Sequence, residues 1–163
     1  MRYFILFLSV FVIFVSCKKQ TVDVPESKQD VLIKSKWHLT AIQLTVRDTF
    51  GRDSIYAMPI ADCKLDDYLE FQDNFRAIHH AGDNRCYLNE ASDYPFTWQL
   101  TNNGKTLGMY SIDDFFLGTA TVTGDISDLT DSKFTFKTGQ FLSGMVIPSA
   151  DTLKLTALTF QKQ

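Results

Sequence analysis

The stretch that most narrows the fold runs from Cys63 to Cys86 and reads CKLDDYLEFQDNFRAIHHAGDNRC. It holds two short runs of alternating apolar residues, Tyr68–Phe71 and Phe75–Ile78, separated by Gln72-Asp73-Asn74. Asp and Asn tolerate the left-handed backbone of a tight turn, so the pattern predicts a β-hairpin. A cysteine lies beyond each outer end of that hairpin, where the two ends can be clasped across neighbouring strands. An even pair in an exported chain is most simply a disulfide, and closing a loop of this length stabilises a fold by about 3 kcal/mol. The competing arrangement is a zinc site built from Cys63, Cys86, His79 and His80, but no two of these have the close ligand spacing of zinc sites. A disulfide with no metal is the expectation.

The chain on either side alternates in the same way. Trp37 to Val46 places Trp37, Leu39 and Ala41 on one face and His38, Thr40, Ile42 and Leu44 on the other. Arg47 to Asp62 reads as a long connection, broken by Gly51 and Pro59 yet carrying Ile55, Tyr56, Met58 and Ile60. Such a connection either covers the side of the domain or acts as a lid. After the hairpin, Tyr94 to Leu100 places Phe96, Trp98 and Leu100 on one face. Asn102-Asn103-Gly104 predicts a tight turn into Lys105–Ile112, with Leu107 and Met109 on one face. Asp113-Asp114 turns the chain into Phe115–Val122, and Gly124 to Asp131 reads as another turn region. Lys133–Lys137 alternates, with Phe134 and Phe136 on one phase; Gly139 to Ser149 is a second apolar connection containing Phe141, Leu142, Met145 and Ile147. Thr152–Ala157 closes the chain, with Leu158 and Phe160 on the opposite phase to Leu155, which predicts a bulge near Ala157.

Eight strands result, joined by links that suit antiparallel neighbours, and no sustained amphipathic helix interrupts them. The fold class is therefore all-β: an eight-stranded antiparallel up-and-down barrel, with a short helical turn at Val31-Leu32-Ile33. A sandwich is the structural alternative, but it needs longer crossovers.

Ser35-Lys36-Trp37-His38-Leu39, at the head of the first strand, resembles the Gly-x-Trp motif that opens lipocalins, with Ser35 in the glycine position. Cys63 to Phe71, then Cys86, then Phe96-Thr97-Trp98-Gln99-Leu100-Thr101-Asn102-Asn103-Gly104-Lys105-Thr106-Leu107 are similar, in that order, to the lipocalin-like domain of Bacteroidetes-type bacterial lipoproteins. The resemblance covers most of residues 35–160. It implies an eight-stranded barrel with a short N-terminal plug on a lipid-anchored tether, and no established reaction.

The N-terminus specifies an address. Arg2, the apolar run Phe4–Val15 and the small residue Ser16 have the order of a secretory signal, and the apolar run is too short for a bilayer span. Val15-Ser16-Cys17 resembles a bacterial lipobox. That resemblance implies removal of residues 1–16 and acylation of Cys17, on sulfur and amine, with chains of the palmitate class, making the membrane the partner of the anchor. Residues 17–30 are polar and contain Pro25, and read as a lipidated tether; residues 31–163 read as the barrel domain. Lys18-Lys19, in place of an Asp retention signal, points to the outer membrane, and the lack of an acidic run after Cys17 points to its periplasmic face. The net charge is −3, and no run of Lys or Arg offers a nucleic-acid surface.

No chemistry is legible. The chain contains no nucleophile elbow, zinc-protease motif or phosphate-binding glycine loop, and no cofactor is expected. His79 and His80, adjacent on a strand, point to opposite faces and read as a solvated pair at a strand end; Asp66-Asp67, Asp83 and Asp113-Asp114 read as solvated turn residues. The enzyme reading would gain ground only if His79, Asp83 and a second carboxylate converged in one cleft. The expected function is binding of a small apolar molecule within the barrel by Trp37, Phe71, Trp98, Met109, Phe134, Phe136 and Leu155, with Leu39, Phe96 and Leu107 on the same inward faces and Met58 and Met145 at the mouth. A solid barrel would use the same aromatic residues as core, and its loops would then recognise another protein.

Overall fold

A computed structural model describes residues 27–112, 120–140 and 151–163. The first element is α1, Lys28–Ile33, which begins three residues before the expected helical turn. Ser27 starts it with a capping box: its hydroxyl accepts from the Asp30 amide at 3.1 Å, and the Asp30 carboxylate accepts from the Ser27 amide at 3.1 Å. Six residues make too short a helix to stand alone, so packing must hold it. Leu32 supplies that packing, fully buried, and its carbonyl accepts the Trp37 indole N–H at 2.8 Å.

Nine strands follow: β1 Lys36–Arg47, β2 Asp53–Met58, β3 Tyr68–Phe71, β4 Arg76–His80, β5 Asp93–Thr101, β6 Thr106–Tyr110, β7 Thr121–Ser127, β8 Lys133–Thr138 and β9 Thr152–Lys162. β3 to β9 pair antiparallel in chain order. β9 then lies along β1 from Trp37↔Lys162 to Arg47↔Thr152, while the start of β1 pairs with β3 through Lys36↔Glu70 and Trp37↔Leu69. β1 and β3–β9 thus make the expected closed eight-stranded barrel. β2 is additional: it pairs with the later half of β1, from Ile42↔Met58 to Arg47↔Asp53.

Four expectations about the strands are corrected. Asp53–Met58, placed in a connection because Gly51 and Pro59 punctuate it, forms β2 by pairing along the later half of β1, with Gly51 (φ +79°) in the turn before it. β7 reaches Ser127, through the segment read as a turn from Gly124. Gly124 sits there because the Lys137 carbonyl and the Phe136 ring occupy the space where a Cβ would project, so the glycine marks close approach and not a turn. Phe75, assigned to the second strand of the hairpin, sits in its turn with φ +61° beside Asn74 with the same φ, and is largely exposed. In β9 the irregularity falls between Leu155 and Leu153, opposite Thr45/Val46, and not at Ala157. Thr156, Leu158 and Phe160 therefore point inward, and Leu155 lies half-buried on the outward phase. The turn expected at Asp113-Asp114, residues 115–119 of the expected sixth strand, and Phe141, Leu142, Met145 and Ile147 lie outside the described residues.

Inside the barrel, aromatic rings pack on one another. Phe134 meets Trp37 edge-on with centroids 4.9 Å apart, stacks on Phe160 at 4.7 Å, and lies 6.5 Å from Phe71, which in turn meets Trp98 at 5.1 Å. Each indole N–H is satisfied, that of Trp98 by the Arg76 carbonyl at 2.8 Å. Because Phe134 touches three of these rings, Phe134→Ala is expected to cost about 3–5 kcal/mol, as large truncations in packed cores do. Urea denaturation followed by tryptophan fluorescence checks this; a loss below about 1 kcal/mol contradicts the ring packing.

Candidate functional site

The candidate ligand-lining residues are the first test of function. Trp37, Phe71, Trp98, Met109, Phe134 and Phe136 are all at most 1% exposed and belong to one continuous apolar cluster with Leu32, Leu39, Phe96 and Leu107. Their partners are one another. Leu155 is not in that cluster. Leu44 and Val46, further along β1, are equally buried but are not members of it. Met58 is half-buried at the end of β2; Met145 and Cys17 lie outside the described residues.

Cys63 and Cys86 form the expected disulfide, with their Cα atoms 5.0 Å apart. Cys63 lies in a turn of 3-10 helix, Asp62–Lys64, that leads into β3, and Cys86 in the connection from β4 to β5. The staple therefore ties the chain before the hairpin to the chain after it. Its formation also removes the alternative zinc set. Among the described residues, no group of three or more His, Cys, Asp or Glu is placed to hold a metal ion.

Beneath the staple is a polar cluster that corrects two expectations. His79 and His80 do point to opposite faces, but they are not a solvated pair. His79 is on the inward phase of β4 and fully buried, and Asp67, expected in a solvated turn, is 1% exposed. Nε2 of His79 is 3.0 Å from one Asp67 oxygen, and the other oxygen accepts the Gly82 amide at 2.8 Å. Lys64 spans Asp67 and Glu90, at 3.3 and 3.4 Å, and Glu90 accepts the Cys86 amide at 2.6 Å. Tyr94 stacks on the His79 ring at 5.5 Å. Lys64, Gly82 and Glu90 were not singled out from the sequence. A weak signal was available, since Lys64 adjoins one cysteine and Glu90 follows the other by four residues, so the staple draws both toward the wall.

Burial alone would raise the Asp67 pKa. The hydrogen bonds from His79 and the Gly82 amide, and then the nearby His79 and Lys64 groups, outweigh it and hold the carboxyl below its ordinary 3.8.

On the outer wall, His80 is gripped across strands. Its Nδ1 is 2.6 Å from Asp93 on β5, its Nε2 is 3.5 Å from Glu70 on β3, and Tyr68 stacks on it at 4.4 Å. Lys36 covers the Tyr68 ring at 4.6 Å. A cleft of about 400 Å³ beside them is lined by Asp66, Asp83, Ser92, Asp93 and Gln163. Ser92 donates to the second Asp93 oxygen at 3.2 Å and not to His80, so the hydroxyl and the imidazole share a carboxylate instead of forming a nucleophile–base pair. His79 is buried on the inward phase of β4 and Asp83 is exposed at the outer cleft, so these two do not share one cleft. His38 also lies on the outer wall, tilted against Tyr68 at 5.7 Å.

No family model matches the chain, and no curated protein matches it significantly in sequence.

Two measurements follow. Replacing both Cys63 and Cys86 by Ser opens a loop of 23 residues and is expected to lower stability by about 3 kcal/mol; an unchanged urea midpoint would contradict the staple's role. For Asp67, a folded pKa below the unfolded value means its stabilisation is complete above about pH 4 and is lost as pH falls through the folded value. Asp67→Asn should therefore be less stable than the parent at pH 7, by about 3 kcal/mol for a broken buried pair. The gap should narrow as pH falls below about 4, and a gap independent of pH in denaturant titrations would exclude stabilisation by the ionised Asp67 carboxylate.

Proposed function

We propose that the chain is a non-enzymatic, lipid-anchored protein of the cell envelope, of the lipocalin-like kind its motifs resemble, whose barrel is a solid scaffold for recognition of another protein. The observation that carries this is the mutual burial of Trp37, Phe71, Trp98, Met109, Phe134 and Phe136, which leaves their surfaces to one another and not to a guest. The closed barrel and the stapled connection make that scaffold stiff, as recognition by loops requires. Cys17 carries the acyl anchor in this reading, residues 1–16 being the cleaved signal, and the outer membrane is the expected site.

A second reading keeps the small apolar ligand but confines it to the upper barrel. It is favoured by the burial of Leu44 and Val46 on β1, which are not members of the main cluster.

Native mass spectrometry of protein purified from its own envelope separates the two. An empty barrel is the expected result; a stoichiometric small molecule would establish the second reading in its place. For the anchor, metabolic labelling with an alkyne analogue of palmitate is expected to mark the parent and not Cys17→Ala, and a variant that still labels overturns the anchor.

A further inference from the structure

The barrel has two unlike ends. The start of β1, the end of β9 and the β3–β4, β5–β6 and β7–β8 connections lie at one of them, together with α1. Lys28 of α1 reaches the β5–β6 connection there and donates to the Gly104 carbonyl at 3.1 Å. The β1–β2 turn, the stapled β4–β5 connection and the start of β9 lie at the other end. Ser27, which caps α1, is therefore at the first end, and it stands ten residues after Cys17. A chain of that length reaches at most about 35 Å when fully extended. An acyl chain on Cys17 thus keeps the α1 end close to the bilayer. A tether alone does not orient the barrel, so orientation must come from the surface of that end.

Two clefts flank α1. One, of about 600 Å³, includes Lys28, Lys105 and Asp125 in its lining; the other, of about 150 Å³, includes Lys34, Lys162 and Asp131. Each sets two ammonium groups against one carboxylate, an excess that matches the single negative charge of a phosphodiester. All four lysines are exposed. They come from three separate segments, so no basic run appears in the sequence. Other carboxylates lie at this end, Asp73 and Asp128, but so do Lys36, Arg76 and Lys133. At the opposite end the balance reverses: residues 62–93 outside the β3–β4 hairpin carry Asp62, Asp66, Asp67, Asp83, Glu90 and Asp93 against Lys64 and Arg85. Phe75, in the β3–β4 turn, is the most exposed large apolar side chain at the α1 end among the described residues, at 55%. Its φ of +61° is one that bulky residues avoid, and an aromatic ring at such a tip suits the boundary between lipid headgroups and water.

We propose that the α1 end of the barrel docks on the bilayer that holds the anchor, with its two lysine pairs on anionic lipid phosphates and Phe75 at headgroup level. The inference rests on the acyl anchor at Cys17. A short tether makes this docking effectively intramolecular, so contacts from a few lysines suffice where they would not recruit a free protein. Docked in this way, the barrel turns its stapled end, with Leu88 96% exposed, away from the membrane.

The test is photo-crosslinking of the acylated full-length chain in vesicles of phosphatidylcholine with and without phosphatidylglycerol. Benzoylphenylalanine replaces Phe75 or, as the control at the opposite end, Leu88. The expected result is a lipid adduct from position 75 and none from position 88, with a higher yield when phosphatidylglycerol is present. Lys105→Glu together with Lys162→Glu reverses one exposed charge in each cleft and is expected to lower the yield from position 75 by about tenfold, with the urea midpoint unchanged. Equal yields from positions 75 and 88 overturn the proposal, as does a yield from position 75 that ignores both the lipid charge and the two substitutions. The palmitate label separates the two readings. A chain that carries no label fails the anchor and this inference with it, whereas a labelled chain without an adduct from position 75 overturns the orientation alone.

Discussion

Pairing of β1 with β9 is the contact on which the rest of the structure depends. The ladders from β3 to β9 join neighbours in the chain and that of β1 with β3 steps over β2 alone, but this one joins Trp37 to Lys162 and continues to Arg47 and Thr152. The loop it closes is nearly the whole domain, so the entropy of closure must be met before its contacts return anything. Without it, β1 and β9 would each expose a long open edge. Two irregularities, between Leu39 and Ala41 and between Thr45 and Val46, let the pair bend as a barrel wall must. They also reset the phase of both strands, which is why Leu158 and Phe160 point inward.

Two kinds of interior meet behind that wall. One is the ring cluster around Phe134, where area removed from water and offset ring contacts stabilise the fold. The other is the Asp67–His79–Lys64–Glu90 cluster, where groups costly to bury are kept because each has a partner. The disulfide brings these two halves of the chain together, and Gly82 lets them approach, since a Cβ there would fall within the Asp66 carboxylate. Apolar packing makes the barrel compact, and the polar cluster specifies which way its stapled connection sits.

Most of the strand framework was legible because period-two alternation and turn chemistry are local. Asn74, Asn102, Asn103 and Gly104 do adopt positive φ, and residues 102–105 make a four-residue connection between Thr101 and Thr106. Local signals misled where one residue type serves two purposes. Gly124 was read as a turn and is a site of close backbone approach. Asp67 was read as a turn residue and is a buried ion. Gly51 and Pro59 hid a strand between them. In the site, the inward set from Trp37 to Phe136 followed from alternation, whereas Lys64 and Glu90 did not, because nothing local says that a lysine and a glutamate will share a buried carboxylate's surroundings.

The sequence by itself determined the class of fold and the positions of most turns, and it made Cys63 and Cys86 the expected pair, because each of these depends on residues close in the chain. Tertiary structure decided three other things: that the inward aromatic residues pack on one another, that His79 and His80 fall into unlike environments on the two sides of one wall, and that β2, among the described residues, pairs with β1 alone and stands outside the closed ring. Those outcomes depend on which distant strands become neighbours, and that is set by closure of the whole sheet and not by any single segment.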